Sequence, residues 1–386
     1  MLTNVSIVKG TRDPDERQIK KMVEKAVTLV GGFEKVFSHG EKVLIKPNIA
    51  YLVKPGETEP TDPRVARAVY DLLSDVGAIP IIGESSSAWV DDEKAFKAAG
   101  YFDLREHGYK VVTMKGSETI TVEIPGGVAL KRVKVHKLAI EVDSFLSLPV
   151  IKTHDHDVAT LSLKNMKGLM PDSEKKNFHK KYGLFQAIAD LNLVFRPKFS
   201  VVDGIFCREG MGYPWSEEIE MDLILAGEDP VAVDAITMMI MGLDPKKQKH
   251  GSLAAKQGIG TNDIDNIHVV GNSIDEVKRK FKTAEEVIAK EPILKKINII
   301  SDEKTCTGCR GMMHYFLKRA SELGKLDRLR KYTFVLGDHQ KLPDLDKENT
   351  LLIGVCTEKY SSLGRYVPGC PPLSRALMEE LKEVFG

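Results

Sequence analysis

Short apolar runs alternate with amphipathic stretches along nearly the whole chain, and this rhythm limits the fold more than any other feature. Residues 5–8, 43–45, 79–82, 145–151 and 199–202 read as strands. Residues 16–30, 63–76, 160–169, 184–193 and 231–241 read as helices, the first with Ile19, Met22, Val23, Ala26 and Val30 on one face. Strands and helices in alternation predict an α/β fold: a doubly wound, mostly parallel sheet.

Residues 110–136 break the rhythm. Stretches 119–124 and 129–135 flank a Pro-Gly-Gly turn at 125–127 and predict an antiparallel excursion at a sheet edge. Charged helical segments at 275–281 and 284–289 predict a connector. Strand 297–300, helix 311–323, strands 332–336 and 350–355, and helix 373–385 then predict a smaller α/β domain. The expected organisation is a substrate-binding domain over 1–272, a connector over 273–295 and a second domain over 296–386. With 386 residues, 42% of them hydrophobic, the chain can support two cores.

Charge and hydropathy exclude some partners. Lys plus Arg number 56 and Asp plus Glu 55, so bulk charge attracts neither nucleic acid nor a membrane surface. There is no apolar run of 18 residues, and the first ten residues read as a strand rather than a signal peptide. A cytoplasmic protein is expected.

The chain has five cysteines, four of them after residue 300. An odd count without a leader argues against a disulfide framework. The four are spaced Cys306-x2-Cys309-x46-Cys356-x13-Cys370, followed by Pro371 and Pro372. Cys306 and Cys309 follow one predicted strand, Cys356 ends another, and Cys370 precedes the last helix, so all four can meet at one end of a small sheet. Four thiolates suit a [4Fe–4S] cluster or zinc. The split second pair favours the cluster, because structural zinc usually takes two close pairs. Gly308 and Gly369 beside the ligands allow close backbone approach. The segment 367–372 also resembles the loop carrying the last cluster ligand in the small subunits of nickel–iron hydrogenases and quinone-reducing complexes. Cys207 is expected as a lone buried thiol.

In a doubly wound sheet, ligands sit beyond the carboxyl ends of the strands. Here those ends are polar: Lys46-Pro47-Asn48, Gly83-Glu84-Ser85, Lys152-Thr153-His154 and Asp203-Gly204. The following stretch, 160–168, places Thr160, Lys164 and Lys167 on one helical face, with Ser162 and Asn165 on an adjacent one. Lys46, Lys152, Lys164 and Lys167 around one crevice predict a small carboxylate or phosphate ligand. The plain alternative is that Lys164 and Lys167 are solvated surface charges. His154 is the expected proton donor. The run His154-Asp155-His156-Asp157 could equally hold a metal or form an ordinary polar loop, and His179 stands alone among lysines. Glu209-Gly210-Met211-Gly212 reads as a flexible loop able to close over a ligand. Asp229 with Pro230 reads as a helix start, and Asp234 as a first-turn charge complementing that helix. Neither a dinucleotide nor a P-loop glycine fingerprint is present.

Together, Lys46-Pro47-Asn48, Lys152-Thr153-His154, residues 162–168, Asp203-Gly204-Ile205 with Glu209-Gly210, and Asp229-Pro230 through Asp234 resemble the domain-of-unknown-function-362 family, in order, over about residues 1–270. The resemblance implies an iron–sulfur protein, since members commonly carry a ferredoxin-like module. This chain departs from that pattern. It has no Cys-x2-Cys-x2-Cys-x3-Cys-Pro run, so a two-cluster tail is not expected.

The resulting expectation is a redox enzyme with one [4Fe–4S] cluster at Cys306, Cys309, Cys356 and Cys370. His154, Lys164 and Lys167 would be catalytic. Lys46, Asn48, Glu84, Ser85, Lys152, Thr153, Ser162, Asn165, Asp203 and Glu209 would bind a small anionic substrate. One alternative is an electron carrier or assembly protein docking a redox partner around Arg310, Lys359, Arg365 and Tyr366. The other is a ligand-binding protein with a structural cluster.

Overall fold

The computed structural model describes residues 2–54, 56–87, 90–154, 157–213, 216–290, 292–301, 305, 307–369, 371–372 and 374–386, with only the backbone of His179, Lys180 and Thr307. Of the residues singled out above, Asp155, His156, Cys306 and Cys370, and the side chain of His179, lie outside this set. The chain forms two compact units, one of residues 1–153 and 159–281, the other of residues 154–158 and 282–386.

The described residues of the first unit form the strands β1 (Thr3–Lys9), β2 (Lys42–Pro47), β3 (Ile79–Glu84), β4 (Val111–Thr113), β5 (Thr119–Glu123), β6 (Arg132–His136), β7 (Ser144–Leu148), β8 (Val150–Thr153), β9 (Ala159–Thr160), β10 (Phe199–Gly210), β11 (Ser216–Gly227) and β12 (Ile267–Gly271). Its main sheet runs β12-β1-β11-β10-β7-β2-β3-β4, with β8 pairing both β10 and β9. Pairing is parallel except at β1–β11, β10–β11 and β8–β9. The fold is thus α/β with a mostly parallel sheet.

Alternate residues of β2 show why it sits centrally. Val43 and Ile45 join one apolar cluster with the helix Glu16–Leu29, whereas Leu44 joins another with Leu163, Met166 and Leu169. A strand apolar on both faces belongs inside a covered sheet. The helix Glu16–Leu29 starts with a reciprocal Asp15–Gln18 capping box. The helix Pro63–Asp75 starts at Asp62 with proline at its first position.

Several expected boundaries change. The run 145–151 is two strands, because Pro149 lacks the N–H a continuous ladder needs. β5 and β6 form their own two-stranded antiparallel sheet instead of edging the main one. The helix expected at 160–169 begins only at Ser162; Thr160 is in β9, and Met166–Leu169 winds as a 3-10 turn. Glu209 and Gly210 are not a flexible loop. They complete β10, paired with Glu217 and Ser216, and both are buried. In the expected connector, 275–281 is helical only within Ile274–Val277.

The second unit has one parallel sheet in the order β13 (Asn298–Ile300), β14 (Thr333–Leu336), β15 (Thr350–Ile353) and β16 (Arg365–Val367). The helix Thr307–Glu322 packs Met313, Phe316, Leu317 and Ala320 against Phe334, Leu351 and Ile353. The expected last helix is two pieces, Ser374–Glu380 and Lys382–Phe385. Among the described residues no helix is long and apolar enough to cross a membrane.

Candidate functional site

The carboxyl ends of β2, β3 and β8 carry a buried polar network in the first unit. Lys46, with no exposed side chain, forms an ion pair with Glu84 and donates to the Pro47 carbonyl at 2.9 Å. Burial pushes the Lys46 ammonium below its usual range, against the opposing pull of Glu84. Burial likewise pushes the Glu84 carboxyl up, against Lys46 and Lys175. Gly168 closes over this pair. A Cβ there would lie 1.8 Å from Glu84 Oε1 and 2.5 Å from Lys46 Nζ, so only glycine permits the approach.

A second pair, Lys152 with Glu59, is equally enclosed. Lys152 Nζ also donates to Asn48 Oδ1 at 2.5 Å. Asn48 Nδ2 donates to Asn165 Oδ1 at 3.2 Å, and Asn165 Nδ2 donates to the Lys46 carbonyl at 2.6 Å. The two asparagines therefore tie the two ion pairs into one network. Ser147 Oγ extends it, accepting from Asn165 Nδ2 at 3.3 Å and donating to the Ser162 carbonyl at 3.1 Å.

Across β10, β8 and β9, Arg208, Lys152 and Thr160 stand in register, so their side chains share a face. Lys164 Nζ reaches Thr160 Oγ1 at 3.2 Å. Lys164 is buried rather than a solvated surface charge, and Lys167 is half-buried over the Phe178 ring. Arg208 is fixed by Ser216, through Nε to Oγ at 2.6 Å. Tyr213 OH donates to Glu57 at 2.7 Å on the same wall; burial and that carboxylate push its hydroxyl up to about 12.

Other expected residues support the frame. Asp203 accepts from the Asp62 and Ile205 N–H groups at 2.7 and 3.0 Å, and burial, then the Asp62 charge, raises its carboxyl. Thr153 Oγ1 donates to the Gly210 carbonyl at 3.0 Å. Glu209 is buried. Asp229 caps its helix as expected, at 2.9 Å to Val231 N and 3.1 Å to Ala232 N. Asp234 does not serve its own helix. It accepts from Ser162 N and Leu163 N at 2.7 and 3.2 Å, capping the helix Ser162–Asn165. His154 falls in the second unit, where its backbone N–H donates to the Val158 carbonyl at 3.3 Å. Cys207 is buried, which pushes its thiol up.

Sequence reasoning missed two members. Glu59 lies in a Pro- and Gly-rich loop that reads as surface turn, and no local signal marks it. Lys175, in a charged run, donates to Ser85 O, Ser85 Oγ and Ser86 O at 2.6, 2.8 and 2.7 Å. Burial lowers its ammonium to about 8.

In the second unit, the segments after β15 and β16 meet. Gly354 N donates to Val367 O and Val355 N to Gly369 O, each at 2.9 Å. Cys309, in the first turn of the helix Thr307–Glu322, joins them. A Cβ on Gly354 would lie 3.3 Å from Cys309 Sγ and 3.2 Å from Gly369 O. Gly354 has φ +88, the left-handed region that favours glycine. Cys309 is buried and Cys356 exposed.

Among proteins of known sequence, a thylakoid-associated protein of Synechocystis sp. is 27% identical over 239 residues, which span 60% of this chain and 72% of that protein. Among solved structures, the lactate racemase apoprotein from Thermoanaerobacterium thermosaccharolyticum aligns with a TM-score of 0.36 at 13% identity, over 52% of this chain. The chain spans about half the length of that protein, 50%. The model of the family described as domain of unknown function (DUF362) matches residues 43–239, the segment that carries both buried ion pairs and their asparagine bridge, and the chain belongs to that family.

Proposed function

We propose that this protein is an iron–sulfur redox protein in which Cys306, Cys309, Cys356 and Cys370 hold one [4Fe–4S] cluster and the first unit binds a small carboxylate or phosphate. One observation carries the reading: Cys309 Sγ lies against Gly354, where the segments leading to positions 356 and 370 are hydrogen-bonded together. Of the four, Cys309 and Cys356 lie among the described residues, and the chemistry of the donor set supports the reading. Their soft sulfur donors suit iron–sulfur chemistry or zinc, and a glycine cradle leaves room beside the sulfur. When bound, the cluster supplies one-electron transfer. The chain's own residues would bind and orient the anion, with Lys152, Lys164 and Arg208 supplying charge at the strand ends. A thiolate-held cluster suits a reducing compartment, which favours the cytoplasm.

Anaerobic purification followed by iron and acid-labile sulfide analysis tests this directly. The expected content is about four of each per chain, with a paramagnetic signal after dithionite reduction. Stoichiometric zinc without labile sulfide would overturn it. A Cys309→Ser variant should lose the iron while the first unit stays folded.

The exposure of Cys356 favours a second reading, an electron carrier that docks a redox partner near that residue. Of the surface residues considered for docking, Lys359 pairs with Asp338 at 2.6 Å and Arg365 with Glu383 at 2.9 Å, while Arg310 and Tyr366 are half-buried. Reversible reduction of the cluster without any small-anion binding would select this reading.

A further inference from the structure

We infer that the first unit's site is built for an anion bearing a hydrogen-bond donor beside its charged group, such as a hydroxy- or amino-carboxylate or the matching phosphate ester, with Glu59 as the selecting acceptor. This rests on the small-anion reading above and adds the substrate class.

Glu59 is fully enclosed. Its Oε1 is held by Lys152, while its Oε2 has no hydrogen-bond partner among the described residues. A buried carboxylate oxygen left without a donor is unfavourable, so a ligand that brings a donor to it gains there. Its surroundings indicate what brings that donor. Lys152 stands between Arg208 and Thr160 across three strands, and Lys164 Nζ sits on Thr160 Oγ1. An anion drawn to these cations arrives beside the same ammonium that holds Glu59.

A plain carboxylate or phosphate there meets Glu59 as a like charge, which costs binding. A hydroxyl or ammonium on the neighbouring carbon turns that repulsion into a hydrogen bond to Oε2. Glu59 thus rejects simple anions and accepts donor-bearing ones. Asn48 keeps the geometry, because its Oδ1 fixes Lys152 Nζ from the other side at 2.5 Å.

The experiment uses the full-length, cluster-loaded protein and two matched ligand sets. Succinate, malate and aspartate differ only in hydrogen, hydroxyl or ammonium at one carbon; ethyl phosphate and phosphoethanolamine do the same for phosphate. Affinities come from isothermal titration, with thermal shift as a check. The expected result is at least about tenfold tighter binding of the donor-bearing member of a set, as for sites built around a substrate hydroxyl. In Glu59→Gln, which keeps the side-chain shape, the preference should shrink to about twofold or less. Circular dichroism and unchanged iron content establish that the variant is folded. Equal binding within both sets, or an unchanged preference in Glu59→Gln, overturns the inference and leaves the anion reading standing. Failure of every ligand to bind overturns both.

Discussion

A lysine with no exposed side chain must find a carboxylate or lose its proton, and Lys46 finds Glu84. The pair is costly to bury and costlier to break, because removing one partner leaves the other charge enclosed and uncompensated. Lys46→Met or Glu84→Leu alone should each lower the unfolding free energy by about 3–5 kcal/mol. The double variant should recover part of that loss, although Lys175 would still miss the Glu84 charge. Urea unfolding followed by circular dichroism measures the cycle. A double variant as unstable as the sum of the singles would show that the pair is not the coupled unit described here. From sequence, Lys46 and Lys152 read as cations waiting for a ligand. In the fold each already has a carboxylate.

The helix Ser162–Asn165 is a single turn, too short to be stable on its own. It is held from outside by Asp234, whose carboxylate accepts two of its first N–H groups. Burial raises the Asp234 carboxyl from its ordinary value to about 6, against the opposing influence of His250. Between pH 3.8 and 6 the folded state therefore holds a proton that the unfolded state has released. Stability contributed at this position falls as pH rises through that window, and the full cost of ionisation is present above pH 6. Asp234→Asn removes the titration. The variant should gain roughly 2–3 kcal/mol relative to the parent between pH 4 and pH 7. A stability difference that stays flat across those pH values would refute this origin. The same helix carries Lys164 and Asn165, so Asp234 acts as a positioning residue for both.

Two units with separate apolar clusters predict two unfolding transitions in calorimetry, not one. Under the proposed function, stripping the iron should lower the transition of the unit holding Cys309 and leave the other unchanged, because a bound group stabilises only the fold it completes. A single cooperative transition, or equal shifts in both, would contradict that assignment. Malate or aspartate should act in the opposite sense, raising only the transition of the first unit, and by more than succinate does.

The sequence by itself determined what local chemistry can determine. Alternating apolar runs implied a mostly parallel sheet, because periodicity is a property of neighbouring residues. Asp229 before Pro230 marked a helix start for the same reason. The motif segments around Lys46, Lys152, Asn165, Asp203 and Asp229 pointed to the family, and the polar strand ends pointed to where a site would lie. Only the tertiary structure decided which charges meet. Lys46 and Glu84 are 38 positions apart, Lys152 and Glu59 are 93 apart, and Ser162 and Asp234 are 72 apart. No periodicity couples positions so distant. Their pairing follows from strand order, which sets β2 beside β3 and β8 beside β10, and from a turn-rich loop that folds Glu59 inward. Burial then did the rest, turning lysines that read as cations waiting for a ligand into members of an enclosed network in which Glu59 Oε2 is among the oxygens left without a donor.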